Sequence, residues 1–142
     1  MNADQTFPFV ELWSDGCCEP NPGLGGWAVI LLCRDNRRAL SGRASETTNN
    51  RMELTAIIRG LEALKRSCRV QVFTDSMYAI GAGTRGETWL KRKNLKNREL
   101  VEKLVELSRL HDVSWQHVKG HCGIALNELA DRFARSAMIN GC

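Results

Sequence analysis

Four acidic residues carry the first chemical suggestion in this chain: Asp15, Glu53, Asp75 and Asp131. Each has an ordinary reading by itself. Asp15 precedes a glycine, as turn-forming aspartates do. Asp75 precedes Ser76, where it would cap a short helix. Asn50-x-x-Glu53 fits a capping box, and Asp131 has Arg135 one helical turn away, a pairing that contributes a few tenths of a kcal/mol. Glu53 departs from the pattern of a solvated acid, because its helical neighbours Ala56, Ile57 and Gly60 place it beside an apolar stripe. Taken together, the four acids suggest a cluster. Two carboxylates ~5 Å apart repel by about 3 kcal/mol at an effective dielectric of ~20, and several such pairs weigh heavily on a domain of ordinary stability. Such a cluster must bind protons or a hard divalent cation. Oxygen-only ligands favour magnesium or manganese over zinc.

The elements that must position these acids follow from periodicity. Phe9 to Asp15 reads as a strand ending at the first acid. The run from Gly26 to Cys33 is nearly all apolar, typical of a buried strand. Arg37 to Ser45 supplies a third strand after the Asp35-Asn36 turn. A helix starts near Asn50, with Leu54, Ile57, Ile58, Leu61 and Leu64 at helical spacing. Val70 to Thr74 is a short strand that ends at Asp75, and Ser76 to Gly81 a brief helix stopped by glycine. Glu99 to Leu110 is an amphipathic helix striped by Leu100, Leu104, Leu107 and Leu110. Val113 to Val118 is the last strand. Ala125 to Met138 is the last helix, with Leu129, Phe133 and Ala137 inward. The order βββαβ, helices, βα predicts an α/β fold: a mixed five-stranded sheet, antiparallel over its first three strands and parallel after them, flanked by helices. Ligand sites in such sheets lie beyond the carboxyl ends of the parallel strands.

The 142 residues fit one domain, 1–142. No apolar run reaches the length of a membrane span, and the first residues lack the pattern of a signal peptide, so a cytoplasmic monomer away from membranes is the expectation. The six cysteines show no C-x-x-C spacing and read as free thiols rather than zinc ligands. The net charge of +4 permits a nucleic-acid partner. Lys91, Arg92, Lys93, Lys96 and Arg98 crowd beside Trp89, either as a grip on a polyanion or as an ordinary solvated helix surface.

Four motifs stand in order along the chain: SDGCCEPNPGLGGWAVIL (14–31), TTNNRMEL (47–54), FTDS (73–76) and VKGHCGIALNELAD (118–131). In these the chain resembles bacterial type I ribonuclease H over nearly its whole length. The resemblance implies that Asp15, Glu53, Asp75 and Asp131 bind two magnesium ions, with manganese as a possible substitute. It implies that His121, between Gly120 and Gly123, sits on a mobile loop and assists proton transfer or product release. Asn21, Asn49 and Asn50 match positions that touch RNA hydroxyls and backbone; Thr48 and Asn97 match a pocket for a DNA phosphate. Arg51 would support the site or reach a phosphate, and Lys91, Arg92 and Lys93 would grip the duplex. Three residues depart from the family's pattern: Glu46 stands where some relatives carry a basic residue of the phosphate pocket, Pro20 replaces a common glycine, and Cys17 a small residue. The basic segment is also short.

The activity this implies is hydrolysis of the RNA strand of an RNA–DNA hybrid by two metal ions, leaving 5′-phosphate and 3′-hydroxyl ends. Two alternatives use the same fold differently. One is an integrase- or transposase-like nuclease; Glu53 and the VKGH segment speak against it. The other is a non-catalytic hybrid-binding module, which would be expected to lack at least one of the acids.

Overall fold

The computed structural model describes residues 7–119 and 125–140. Its sheet comprises β1 (Phe9–Cys18), β2 (Gly23–Cys33), β3 (Asn36–Thr47), β4 (Arg69–Thr74) and β5 (Asp112–His117). Four helices accompany it: α1 (Asn49–Glu62), α2 (Met77–Trp89), α3 (Arg98–Leu110) and α4 (Ala125–Asn140). The strand order is β3-β2-β1-β4-β5. The first three strands pair antiparallel, and β4 pairs parallel with both β1 and β5. This is the mixed sheet that the hydrophobic patterning predicts.

Period-two alternation divides β1 between two cores. Val10 and Leu12 pack with Val70, Val72, Leu54, Ile57, Leu61 and Leu104 on the face covered by α1, α2 and α3. Trp13 and Cys17 point the other way, toward α4, with Ile30, Ala28, Ala130 and Ala134. Trp13 stacks on Phe73 of β4 at 4.1 Å between ring centroids, matching their register across the parallel pair. Leu12, Ile30, Leu54, Ile57, Leu61 and Leu104 are each less than 2% exposed. At ~1.5–3 kcal/mol per fully buried aliphatic side chain, these positions anchor the sheet to its helices.

Two glycines set the distances that matter for the site. A Cβ on Gly16 would lie 2.6 Å from the backbone of Met52 and Glu53, so α1 rests directly on β1. A Cβ on Gly26 would lie 2.2 Å from the Ala134 carbonyl oxygen, so α4 rests on β2.

Several boundaries differ from the periodicity reading. β1 continues past Asp15 to Cys18 because Gly16, Cys17 and Cys18 pair with Trp27, Gly26 and Gly25. α2 passes through Gly81 to Trp89, with non-helical angles only at Arg85. Gly81 and Gly83 are packing glycines: a Cβ would meet Trp89 at 2.9 Å and Trp115 at 2.0 Å. On α3 the inner face is Val101, Leu104, Val105 and Leu107, while Leu110 is exposed. On α4 the inner face is Ala130, Ala134, Ala137 and Met138, with Leu129 and Phe133 half-buried. Close approach over Gly26 selects small side chains there, where the sequence alone favours the large ones.

Candidate active site

The carboxyl-terminal half of β1, the carboxyl end of β4, the start of α1 and the middle of α4 surround one cleft of about 410 Å³. Asp15, Glu53, Asp75 and Asp131 all line it, with Asn49, Asn50 and Ser76. Local structure explains how each acid arrives. Asp15 sits within β1, held by pairing with Ala28, and is no turn former. Glu53 is carried in by α1 where that helix lies on Gly16. The N-cap of α1 is Thr48, whose Oγ1 accepts from the Arg51 N–H at 3.2 Å, so Glu53 is not engaged as a capping-box partner. Likewise Ser76 caps α2, its Oγ accepting from the Ala79 N–H at 3.0 Å, which leaves the Asp75 carboxylate outside that cap. The ordinary readings of three of the acids therefore do not hold. The fourth holds in part: Asp131 pairs with Arg135 Nε at 3.2 and 3.3 Å while still facing the cleft.

One carboxylate oxygen from each of Asp15, Glu53 and Asp75 lies within 4.8 Å of the other two. Asp15 and Glu53 are buried, and Glu53 Oε2 has no hydrogen-bond partner. Burial first, then the negative charges of Asp75 and Asp131, push Asp15 up to about 8 from its ordinary 3.8. Burial, followed by the charges of Asp15 and Asp75, also raises Glu53 well above the usual carboxylate range. A buried oxygen without a partner beside two like charges is costly unless a proton or cation fills the gap. Three oxygens converging at this spacing, with no sulfur or imidazole among them, fit a hard divalent ion. The mouth of the cleft also carries Arg135, raised chiefly by the charge of Asp131.

The remaining predicted positions separate into three groups. Asn21, Asn49 and Asn50 stand exposed at the mouth, where Asn21 Oδ1 accepts from the Asn49 N–H at 3.1 Å. Thr48, Arg51 and Asn97 lie to one side. Arg51 and Thr48 line a second recess of about 490 Å³ with Glu46, and Arg51 Nη1 donates to Asn97 Oδ1 at 3.2 Å. Lys91, Arg92 and Lys93 belong to the turns between α2 and α3, not to a helix surface. Arg92 lies 5.5 Å over the Trp89 ring, and Arg98 donates to the carbonyl oxygens of Leu90 and Arg92. His121 and Cys122, like Cys142, lie outside the described residues. Two residues without a motif join the Arg51–Asn97 group: Glu99 and Tyr78. A glutamate in the first turn of a helix is the only signal the sequence offers for the former.

The ribonuclease H family model matches residues 8–139. The chain is 47% identical over 141 residues to the ribonuclease H of Syntrophotalea carbinolica, covering 94% of this chain and 93% of that protein. It is 46% identical over 134 residues to the ribonuclease H of Thermoanaerobacter sp. strain X514, covering 88% and 86%. Among solved structures it is similar to LC9-RNase H1, a type 1 RNase H with the type 2 active-site motif, at a TM-score of 0.84, 28% identity, and coverage of 96% and 74%. The fold is also shared with LC11-RNase H1, solved in complex with an RNA/DNA hybrid, at a TM-score of 0.70, 22% identity, and coverage of 93% and 98%.

Proposed function

Because the chain belongs to the ribonuclease H family, we propose that its acidic cleft hydrolyses the RNA strand of RNA–DNA hybrids, leaving 5′-phosphate and 3′-hydroxyl ends. The observation that carries this reading is the convergence of Asp15, Glu53 and Asp75 oxygens within 4.8 Å, with Asp131 in the same cleft. These four residues would hold two magnesium ions, or manganese in their place. Such ions, when bound, activate the attacking water and stabilise the departing 3′ oxygen.

The chain's own groups set the stage for that chemistry. Burial holds the Asp15 and Glu53 carboxyls high, so their mutual repulsion is relieved by protons in the metal-free site and would be relieved by cationic charge once ions bind. Gly16 fixes the α1 backbone against β1 and so fixes the distance from Glu53 to Asp15. The exposed amides of Asn21, Asn49 and Asn50 offer donors and acceptors to ribose 2′-hydroxyls, the groups that distinguish RNA from DNA. Thr48, Arg51 and Asn97 take a phosphate of the DNA strand. Recognition of this kind follows backbone shape rather than base sequence. His121 assists proton transfer. The protein would act as a monomer in the cytoplasm.

A labelled hybrid incubated with magnesium should be cut in its RNA strand, and excess chelator should abolish the cut. Full cleavage in chelator would refute the metal-dependent reading. Binding without cleavage would favour the hybrid-binding module, and cutting or joining of DNA ends would favour an integrase-like activity.

A further inference from the structure

Asn97 spends its side chain in an unexpected way. It is the N-cap of α3, yet its backbone is left-handed at φ 61 and ψ 30 and its amide makes no capping bond. An asparagine cap ordinarily remains extended and accepts from the first turn, worth about 0.5–2 kcal/mol. Here Oδ1 instead accepts from Arg51 Nη1 at 3.2 Å, and Nδ2 donates to the Tyr78 hydroxyl at 3.0 Å. Arg51 is itself gripped by Glu99 through two bonds, Nη1 to Oε1 at 3.2 Å and Nη2 to Oε2 at 2.8 Å. The chain Tyr78–Asn97–Arg51–Glu99 thus links α2, the start of α3 and the first turn of α1. A strained backbone joined to a forfeited cap points to a use for the amide outside the fold's own stability.

The donor count shows what that use is. A guanidinium has five N–H groups and a carboxamide two. Three Arg51 donors and one Asn97 donor are consumed in the chain. Left over are Arg51 Nε–H, one Nη2–H and one Asn97 N–H. Arg51 borders the recess that Thr47 and Thr48 also line. The same recess carries Glu46, so any anion entering it meets a like charge and depends on well-aimed donors.

We infer that Glu99 and Tyr78 are positioning residues for substrate: they hold Arg51 and Asn97 so that the leftover donors meet one phosphate of the DNA strand. The inference rests on the proposed reading of Arg51 and Asn97 as substrate contacts. Glu99 does not touch the substrate, and as a side chain 65% exposed it adds little to folding stability. Its two effects on Arg51 oppose each other. It neutralises charge, a longer-range effect that salt screens, and it fixes orientation, which acts at contact distance. Of the two, orientation is the effect assigned to Glu99, and the direction of the KM change separates them.

The test is steady-state cleavage of a labelled hybrid by the full chain with magnesium. Glu99→Gln should raise KM about 3- to 10-fold, since a charge-assisted pair becomes a neutral one, with kcat within about twofold and Tm little changed. Glu99→Asp should recover part of the loss. Tyr78→Phe, which keeps the ring against Trp89, should raise KM about 2- to 5-fold. In an Arg51→Gln background, Glu99→Gln should add nothing further. A lower KM in Glu99→Gln would mean that Glu99 acts as a competitor for Arg51, and would overturn the inference. Parallel losses of kcat and Tm would overturn it as well, leaving a structural role. A raised KM in Arg51→Gln, with Glu99→Gln and Tyr78→Phe unaltered, would overturn the inference alone. Failure of the unaltered chain to cleave, or an unaltered KM in Arg51→Gln, would bring down the underlying reading and the inference with it.

Discussion

The acidic cleft and the basic turns between α2 and α3 place charge in opposite ways. In the cleft, carboxylates are buried on β1 and α1, a carboxylate oxygen has no partner, and like charges face each other. In the turns, cations are exposed, Arg92 rests on Trp89, and Arg98 is tied to backbone carbonyls. Electrostatics opposes the first arrangement and is nearly indifferent to the second. The cleft persists because hydrophobic packing of rigid elements over-determines it; the turns need only remain solvated. A buried cluster of like charges needs a ligand to explain it, whereas exposed cations need none.

Removing one acid breaks the contrast most sharply. Asp15→Asn should lower hybrid cleavage by several orders of magnitude while the fold stays intact, measured as kcat alongside circular dichroism. Asp75→Asn should behave alike. The same substitution should stabilise the metal-free protein. The folded chain holds the Asp15 proton up to about pH 8, whereas the unfolded chain releases it near 3.8. Between those values the folded state binds more protons, so stability is full at low pH and declines as pH rises through 8. Asp15→Asn should flatten that decline and raise Tm in chelator at pH 8.5 by on the order of 5 °C. A Tm that climbs with pH in the unaltered protein would contradict the burial argument.

A smaller effect should follow from loosening the packing rather than removing a charge. A Cβ at Gly16 cannot fit 2.6 Å from the α1 backbone, so Gly16→Ala must push α1 off β1. Overpacking of this kind costs about 1–3 kcal/mol, and Glu53 moves with the helix. Both Tm and kcat should fall in this variant, and raised magnesium should recover part of kcat. Normal kcat with lowered Tm would show that the separation of Glu53 from Asp15 is not critical.

These two regions also differ in how far the sequence reveals them. The acids are legible because each falls in a motif, with Asp15 and Asp75 at the ends of the strands the patterning predicts and Glu53 beside an apolar stripe. The sheet order followed from element order and crossover handedness. What stayed hidden depended on distance between backbones: α4 turns alanines inward because Gly26 admits it closely, and α2 runs through Gly81 and Gly83 because two tryptophans fill the space beside them. Glycine has two readings, a stop or a close contact, and only the partner's position decides. The Glu99–Arg51 pair was equally hidden, since residues 48 apart in sequence show no periodicity. The basic segment misleads in another way, because its charges read the same on a helix surface as in the turns where they lie.

That last difference shapes the mildest prediction. Among the described residues, Lys91 and Lys93 are exposed and make no ion pair, while Arg92 is steadied by the Trp89 ring. All three stand outside the residues that line the acidic cleft. If they grip the hybrid, each phosphate they neutralise contributes about 0.7–0.9 to the dependence of log affinity on log salt. Replacing Lys91, Arg92 and Lys93 together with glutamine should therefore raise KM and flatten its rise with salt. The rate at saturating substrate should stay close to that of the unaltered chain, because no acid or asparagine of the cleft is disturbed. The irregular backbone sharpens this expectation: turns allow the two lysines to follow a phosphate row that successive residues of a helix could not share. KM measured across a salt series decides the matter. An unchanged slope would return this stretch to ordinary surface and leave the grip to Arg51, Asn97 and the asparagines at the mouth.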